Sequence, residues 1–280
     1  MVDGISFTIP LEKVTAIIGE SGGGKTQTAL ALAGLLPSNA QSIITSKPSL
    51  DNYIISFVFQ DPLNALNPIM KISSQIGEAI RKKLSSKDKH QFLLNLLNDL
   101  EISDPEKRLR QYPHELSGGM RQRILIAMAL ARDPDILIAD EPATALDVRT
   151  KYHIIQLLKQ IEKNSNKTII YITHDLASVK GFADKILIMY SGKIVESGPA
   201  TVIFRNAKHP YTQKLIALMT KNVDNEGKLE FIDGQPPLPD DYPEGCRFHP
   251  RCELFIPSCK LKTPEIMGSD DHWWKCPVSK

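Results

Sequence analysis

The densest chemistry in this chain lies in the run Gly19-Glu20-Ser21-Gly22-Gly23-Gly24-Lys25-Thr26. It fits G-x-x-x-x-G-K-S/T, the pattern of a loop that wraps phosphates. Glycine at positions 19, 22, 23 and 24, with Ser21 between them, lets consecutive backbone N–H groups turn toward phosphate oxygens. A helix starting just after the loop adds its positive end. Lys25 carries a point charge suited to the β- and γ-phosphates, and the Thr26 hydroxyl can ligate Mg²⁺. Further along, Asp140 and Glu141 follow the apolar run Ile136–Ala139. A carboxylate at the C-terminal end of a buried strand in an open α/β sheet stands where ligands bind. His174 is delivered to the same edge by Thr168–Thr173, and Gln60 ends the run Ile54–Phe59. Ser117-Gly118-Gly119, just ahead of a helical stretch, is a second place where backbone N–H groups can meet an anion.

The elements that must position these residues alternate between apolar strands and helices. Val14–Ile18 reads as the strand feeding the phosphate loop, and Thr28–Leu36 as the helix leaving it. Gly4–Ile9 reads as an opening strand. From about residue 63 to 132 the pattern is helical: Ile72, Ile76 and Ile80 share one face, and Phe92, Leu93, Leu96, Leu97 and Leu100 another. Those stripes are expected to be core. Arg121–Ala131 and Tyr152–Ile161 are further helices, and Lys185–Met189 with Lys193–Val195 flank a Tyr-Ser-Gly turn, a hairpin signal. The alternation implies an α/β fold with a largely parallel sheet covered on both faces. After about residue 220 prolines crowd in, both tryptophans appear and periodicity fades, so residues 1–220 are expected to form one domain and 221–280 a small appendage that needs a staple.

Composition narrows the options. The chain has 280 residues, is 42% hydrophobic and 24% charged, and carries a net charge of +2. That balance is globular and leaves no electrostatic footprint for nucleic acid. No signal-peptide pattern or membrane-length apolar run is present, so a cytosolic chain reaching a membrane only through partners is expected. The four cysteines Cys246, Cys252, Cys259 and Cys276 follow C-x5-C-x6-C-x16-C, all in the last few dozen residues. In a reducing compartment such clustering favours metal over disulfides, though the spacing is not that of paired C-x2-C zinc knuckles. Four thiolates suit an iron–sulfur cluster or zinc, and free thiols or disulfides remain the alternative.

Taken together, the motifs resemble the ATP-binding subunits of ABC transporters, with a P-loop NTPase core and a helical subdomain. The phosphate loop matches Walker A, Gln60 the Q-loop, Leu116–Gly119 with Met120–Arg123 the signature, Ile136–Glu141 Walker B, Ala145-Leu146-Asp147 the D-loop, and His174 the switch histidine. A narrower likeness, carried by Phe59–Pro68, Gln111–Arg123 and His209–Thr212, is to the oligopeptide, dipeptide and nickel importers. Leu-Ser-Gly-Gly-Met is similar to the D-type subunit, whereas the F-type partner usually has Phe-Ser-Gly-Gly-Gln.

The resemblance implies an ATPase using Mg²⁺, with Glu141 as general base. Lys25 neutralises phosphate, Thr26 and Asp140 serve Mg²⁺, Gln60 touches Mg²⁺ or the attacking water, and His174 holds the γ-phosphate in register. Ser117, Gly118, Gly119 and Asp147 face a nucleotide shared with a second, F-type ATPase. Two membrane permeases and an extracytoplasmic binding protein complete the implied assembly on the cytoplasmic face of the cell membrane. Leu63–Pro68 and Tyr112–Glu115 are the expected permease contacts. Cys-rich tails of this subfamily carry a 4Fe–4S cluster in some members, which the four cysteines would hold here, with zinc as alternative. Two departures stand out. The strand whose aromatic residue stacks on adenine usually lies upstream of what is Met1 here, so that residue is absent or Phe7 substitutes for it from an unusual position. The segment between Lys25 and Gln60 is short, so the antiparallel subdomain is expected to be trimmed. The rival readings are a metal-chelate importer ATPase, a permease-free ABC ATPase, and a regulatory binder of ATP.

Overall fold

The computed structural model describes residues 2–144, 146–220 and 232–279. Along the chain its strands are β1 (Val14–Ile18), β2 (Ile55–Val58), β3 (Ile136–Asp140), β4 (Thr168–Thr173), β5 (Lys185–Tyr190), β6 (Lys193–Pro199), β7 (Met267–Gly268) and β8 (Trp273–Trp274). The helices are α1 (Lys25–Leu32), α2 (Pro62–Ala65), α3 (Ile72–Ala79), α4 (Ser86–Asp99), α5 (Pro105–Arg110), α6 (Gly118–Ala131), α7 (Val148–Ser165), α8 (Ala200–Asn206), α9 (Pro210–Thr220) and α10 (Ser258–Leu261). Two compact units emerge: Met1–Leu30 with Ile172–Lys280, and Ala31–Tyr171. The expected boundary at residue 220 abuts residues 221–231, which lie outside the described residues. The Cys-rich segment beyond them belongs to the unit that carries the phosphate loop.

In the first unit β1 is buried at every position, which is why it reads as an unbroken apolar run. It pairs in parallel with β5, Thr15 opposite Lys185 through Ile18 opposite Ile188. The β5–β6 hairpin turns on Ser191 and Gly192, both at positive φ (43° and 79°), the geometry whose twist matches a two-residue hairpin. β8 then pairs with β6 and β7 with β8, so the C-terminal segment extends this sheet. The carboxylate of Glu196, fully buried on β6, fastens the arrangement. It accepts hydrogen bonds from the backbone N–H groups of Lys208 and His209 and lies 2.8 Å from His272 Nε2. A buried carboxylate persists only with such partners.

Two expectations fail in this unit. Residues 2–10 form no strand. Gly4 takes φ 52° and turns the chain at the start of the expected run, and the segment is fastened by the Asp3 N–H, which donates to the Gly192 carbonyl, and by side chains. Asp3 lies 2.8 Å from Lys193 and 2.9 Å from Arg247, and Thr8 accepts from Lys185. Helix α1 ends at Leu32 rather than Leu36, because Gly34 at φ 67° turns the chain out and donates to the carbonyl of Ala31.

In the second unit β2 runs parallel to β3, Ile55 opposite Ile136 through Val58 opposite Ala139, and β4 lies beside β3. Helices α2 to α6 fill residues 62–131. Ile72, Ile76, Leu93, Leu97 and Leu100 are core as their spacing predicts. Ile80, Phe92 and Leu96 are only half-buried, because they line a cavity of about 230 Å³ instead of closing on it. Between α1 and β2 the chain carries one short 3-10 turn, Leu50–Asn52, and no strand, as the short segment implied.

Candidate functional site

The phosphate loop of the first unit leaves β1 at Gly19, whose absent side chain is a packing requirement. A Cβ there would stand 2.0 Å from the carbonyl oxygen of Met189. Gly22 and Gly24 take φ 78° and 94°, which L side chains rarely adopt. Gly23 donates to the Glu20 carbonyl at 3.2 Å, and its own carbonyl accepts from Gly192 at 2.8 Å. The Lys25 ammonium is buried and donates to the carbonyls of Gly19 (2.8 Å) and Glu20 (2.9 Å), so it lies across the loop mouth. Ser21 and Thr26 are exposed, their hydroxyls open to a ligand. A loop of this shape, with glycines at positive φ and a lysine across its mouth, suits a chain of phosphates. His174 is exposed just past β4, where Asp175 accepts from the N–H groups of Ala177 and Ser178 and fixes the turn after it.

In the second unit β3 delivers Asp140, buried, and then Glu141. Glu141 takes φ 45°, a left-handed conformation that costs a non-glycine residue about 1–3 kcal/mol. Such strain persists where surrounding contacts over-determine it. Here the Glu141 Oε2 atom accepts from the Thr144 hydroxyl at 2.8 Å and from Gln60 Nε2 at 3.4 Å. Gln60 and Glu141 thus meet just past the ends of β2 and β3, a contact the sequence did not point to, and Thr144 was not singled out either. Its signal was the three-residue spacing after Glu141.

The signature lies at the start of α6, which begins at Gly118, three residues before the expected start. Ser117 caps it, its hydroxyl accepting from Met120 N–H at 3.3 Å. Gly119 packs against the start of α7, where a Cβ would stand 2.7 Å from Thr150 Cγ2. Asp147 caps α7 and, hydrogen-bonded by the Thr150 hydroxyl and N–H, has its carboxyl held below the usual carboxylate range. Ala145 of the D-loop motif lies outside the described residues.

The four cysteines carry no disulfide; Cys259 and Cys276 are buried and Cys246 and Cys252 half-buried. Burial, then the nearby thiols of Cys259, Cys276 and Cys252, pushes the Cys246 thiol up to about 11. The thiols therefore lie within electrostatic reach of one another. Among the described residues, however, no three or more His, Cys, Asp or Glu side chains are set to hold a metal ion.

Sequence reasoning also missed Glu20, Tyr211 and Arg251. The Glu20 N–H donates to the Tyr211 hydroxyl at 2.9 Å, and the Glu20 carboxylate takes two bonds from the Arg251 guanidinium, at 2.6 and 3.0 Å. Tyr211 falls inside the quoted His209–Thr212 motif, but nothing in the sequence pairs it with the loop.

These features have counterparts in known proteins. The ABC transporter family matches residues 2–144, and the oligopeptide/dipeptide transporter C-terminal region matches residues 195–259. The chain is 40% identical to the dipeptide transport ATP-binding protein DppD of Bacillus subtilis, over 98% of this chain and 88% of that protein. It is 38% identical to the oligopeptide transport ATP-binding protein AppD of the same organism, over 95% of this chain and 87% of that one. Among solved structures it resembles the dimeric structure of MJ0796, a bacterial ABC transporter cassette. There the TM-score is 0.59 and the identity 26%, covering 71% of this chain and 90% of that one. With a phosphate cradle in one unit, a strained acid beside a glutamine in the other, and these relatives over nearly its whole length, the chain belongs to the ATP-binding ATPase subunits of the ABC transporter family.

Proposed function

We propose that this chain is the ATP-hydrolysing subunit of a peptide importer, working at the cytoplasmic face of the cell membrane beneath two permeases. The observation that carries the cargo class is the near full-length likeness to dipeptide and oligopeptide transport proteins. No helix among the described residues is long and apolar enough to cross a membrane, so transport through this chain requires partners that do. Leu63 and Ile69, exposed apolar residues at and just beyond α2, suit the permease contact.

In this reading the Gly19–Thr26 loop and Lys25 bind and orient the triphosphate, and His174 contacts the γ-phosphate. Thr26, Asp140 and Gln60 hold Mg²⁺, which neutralises charge on the phosphates when bound. Glu141, restrained by Thr144 and Gln60, takes the proton of the attacking water as general base. Ser117, Gly118, Gly119 and Asp147 serve the nucleotide of a second, F-type ATPase. Exposed Val148 and Tyr152 beside them supply apolar area for that contact. The four cysteines would staple the C-terminal segment if they gathered around a 4Fe–4S cluster, with zinc as alternative, an arrangement their side chains do not form among the described residues. Their clustering within the last few dozen residues is what supports this reading. Anaerobic purification that yields colourless, iron-free protein would remove the cluster from this account.

The test is reconstitution with the two permeases and the F-type ATPase in vesicles. Peptide-loaded binding protein should stimulate ATP hydrolysis and drive peptide inward. Stimulation by a metal chelate and not by peptide would move the chain to the metal-chelate importers.

A further inference from the structure

Every hydrogen-bonding group of Glu20, the second residue of the phosphate loop, is engaged within the first unit. Its N–H donates to the hydroxyl of Tyr211, which is fully buried on α9. Its carbonyl accepts from Lys25 and Gly23. Its carboxylate receives the two-bond fork of Arg251, a side chain only 5% exposed. Fork-to-carboxylate pairs of this kind fix direction as well as distance. Arg251 is itself held by the carbonyls of Ile232 and Asp233 and by the Tyr190 hydroxyl at the end of β5. Three residues earlier, Phe248 packs its ring on Tyr190 and Tyr211, with centroids 5.2 and 5.3 Å apart. The C-terminal segment thus grips the loop at the one acidic residue it contains.

That acid is otherwise a liability. A carboxylate next to bound phosphates repels them, and a loop whose N–H groups must converge loses affinity if it has to be ordered on binding. Arg251 addresses both: it neutralises Glu20 and immobilises it. We propose that Arg251 is a positioning residue for ATP, through which the C-terminal segment sets the nucleotide affinity of the phosphate loop. The proposal rests on the reading of Gly19–Thr26 as the ATP site.

The experiment measures ATP affinity of the full-length chain by titration, and KM and kcat in the assembled transporter, for the parent and variants at Arg251, Glu20 and Lys25. Arg251→Ala leaves an uncompensated acid beside the phosphates and should raise Kd and KM roughly tenfold, with kcat changing less than about threefold. Adding Glu20→Gln to that variant should return Kd to within about threefold of the parent, which repair of a docking contact alone would not do. Arg251→Lys, which keeps the charge but not the two-bond fork, should fall between Arg251→Ala and the parent. The proposal is overturned if Arg251→Ala binds ATP like the parent, or if the double variant binds no more tightly than Arg251→Ala. Should Arg251→Ala fail to fold, Arg251→Gln replaces it, and ATP binding like the parent's in that variant overturns the proposal equally. The underlying reading fails separately, if the parent binds no ATP or Lys25→Ala binds it undiminished.

Discussion

The two motif-bearing units hold their chemistry by different means. In the first, the phosphate loop is clamped. Gly19 fits against Met189 with no room for a methyl group, Lys25 is buried across the loop, and Glu20 is fixed through its N–H, carbonyl and carboxylate. In the second, Glu141 is poised. It is half-exposed and in a left-handed conformation, and the contacts of its carboxylate include a short bond from Thr144 and a long one from Gln60. The contrast follows from what each half must do. In the proposed reading, binding phosphates rewards donors fixed in advance, whereas Glu141 as general base would meet its water only in the assembled complex.

Breaking the poised half should cost most in rate. Glu141→Gln is expected to retain ATP binding and lose at least about 10²-fold in turnover, measured as steady-state phosphate release by the assembled complex. An unchanged rate would take Glu141 out of that role. The clamped half should fail in stability instead. Gly19→Ala drives a methyl into a backbone carbonyl and should cost about 3 kcal/mol or more in a denaturant melt of the ligand-free chain.

Acid sharpens the contrast further. His209 is fully buried in the first unit, and burial lowers its pKa to about 3. Below its unfolded value of roughly 6.5 the unfolded state binds the extra proton. Stability from this group is therefore complete above that pH and falls by about 1.4 kcal/mol per pH unit toward 3. By pH 5 the loss is about 2 kcal/mol, and His209→Gln should flatten that slope. Smaller still, Thr144→Val should slow turnover by about three- to tenfold by loosening Glu141 while leaving ATP affinity alone. Smallest is Asp133→Asn in the second unit. It removes contacts with Lys167 and Lys82 that hold the carboxyl below its usual range, yet the side chain is largely exposed, so less than about 1 kcal/mol is at stake.

Sequence alone carried the motifs, since each is a local requirement. A phosphate loop needs glycines at fixed intervals, and Gly19, Gly22 and Gly24 show why in a Cβ clash and two positive φ values. Strands buried on both faces read as apolar runs, which made β1, β3 and β4 legible, and the Ser191-Gly192 turn announced its hairpin. Gly4–Ile9 misled because alternating residues say nothing of a glycine that turns the chain out of line. What only the tertiary structure decided joins residues far apart in sequence: Arg251 to Glu20, Tyr211 to the phosphate loop, Trp274 to the edge of β6. Local spacing fixes backbone shape. The partner of a buried charge is chosen by whichever distant segment the fold brings alongside, and no periodicity records that choice.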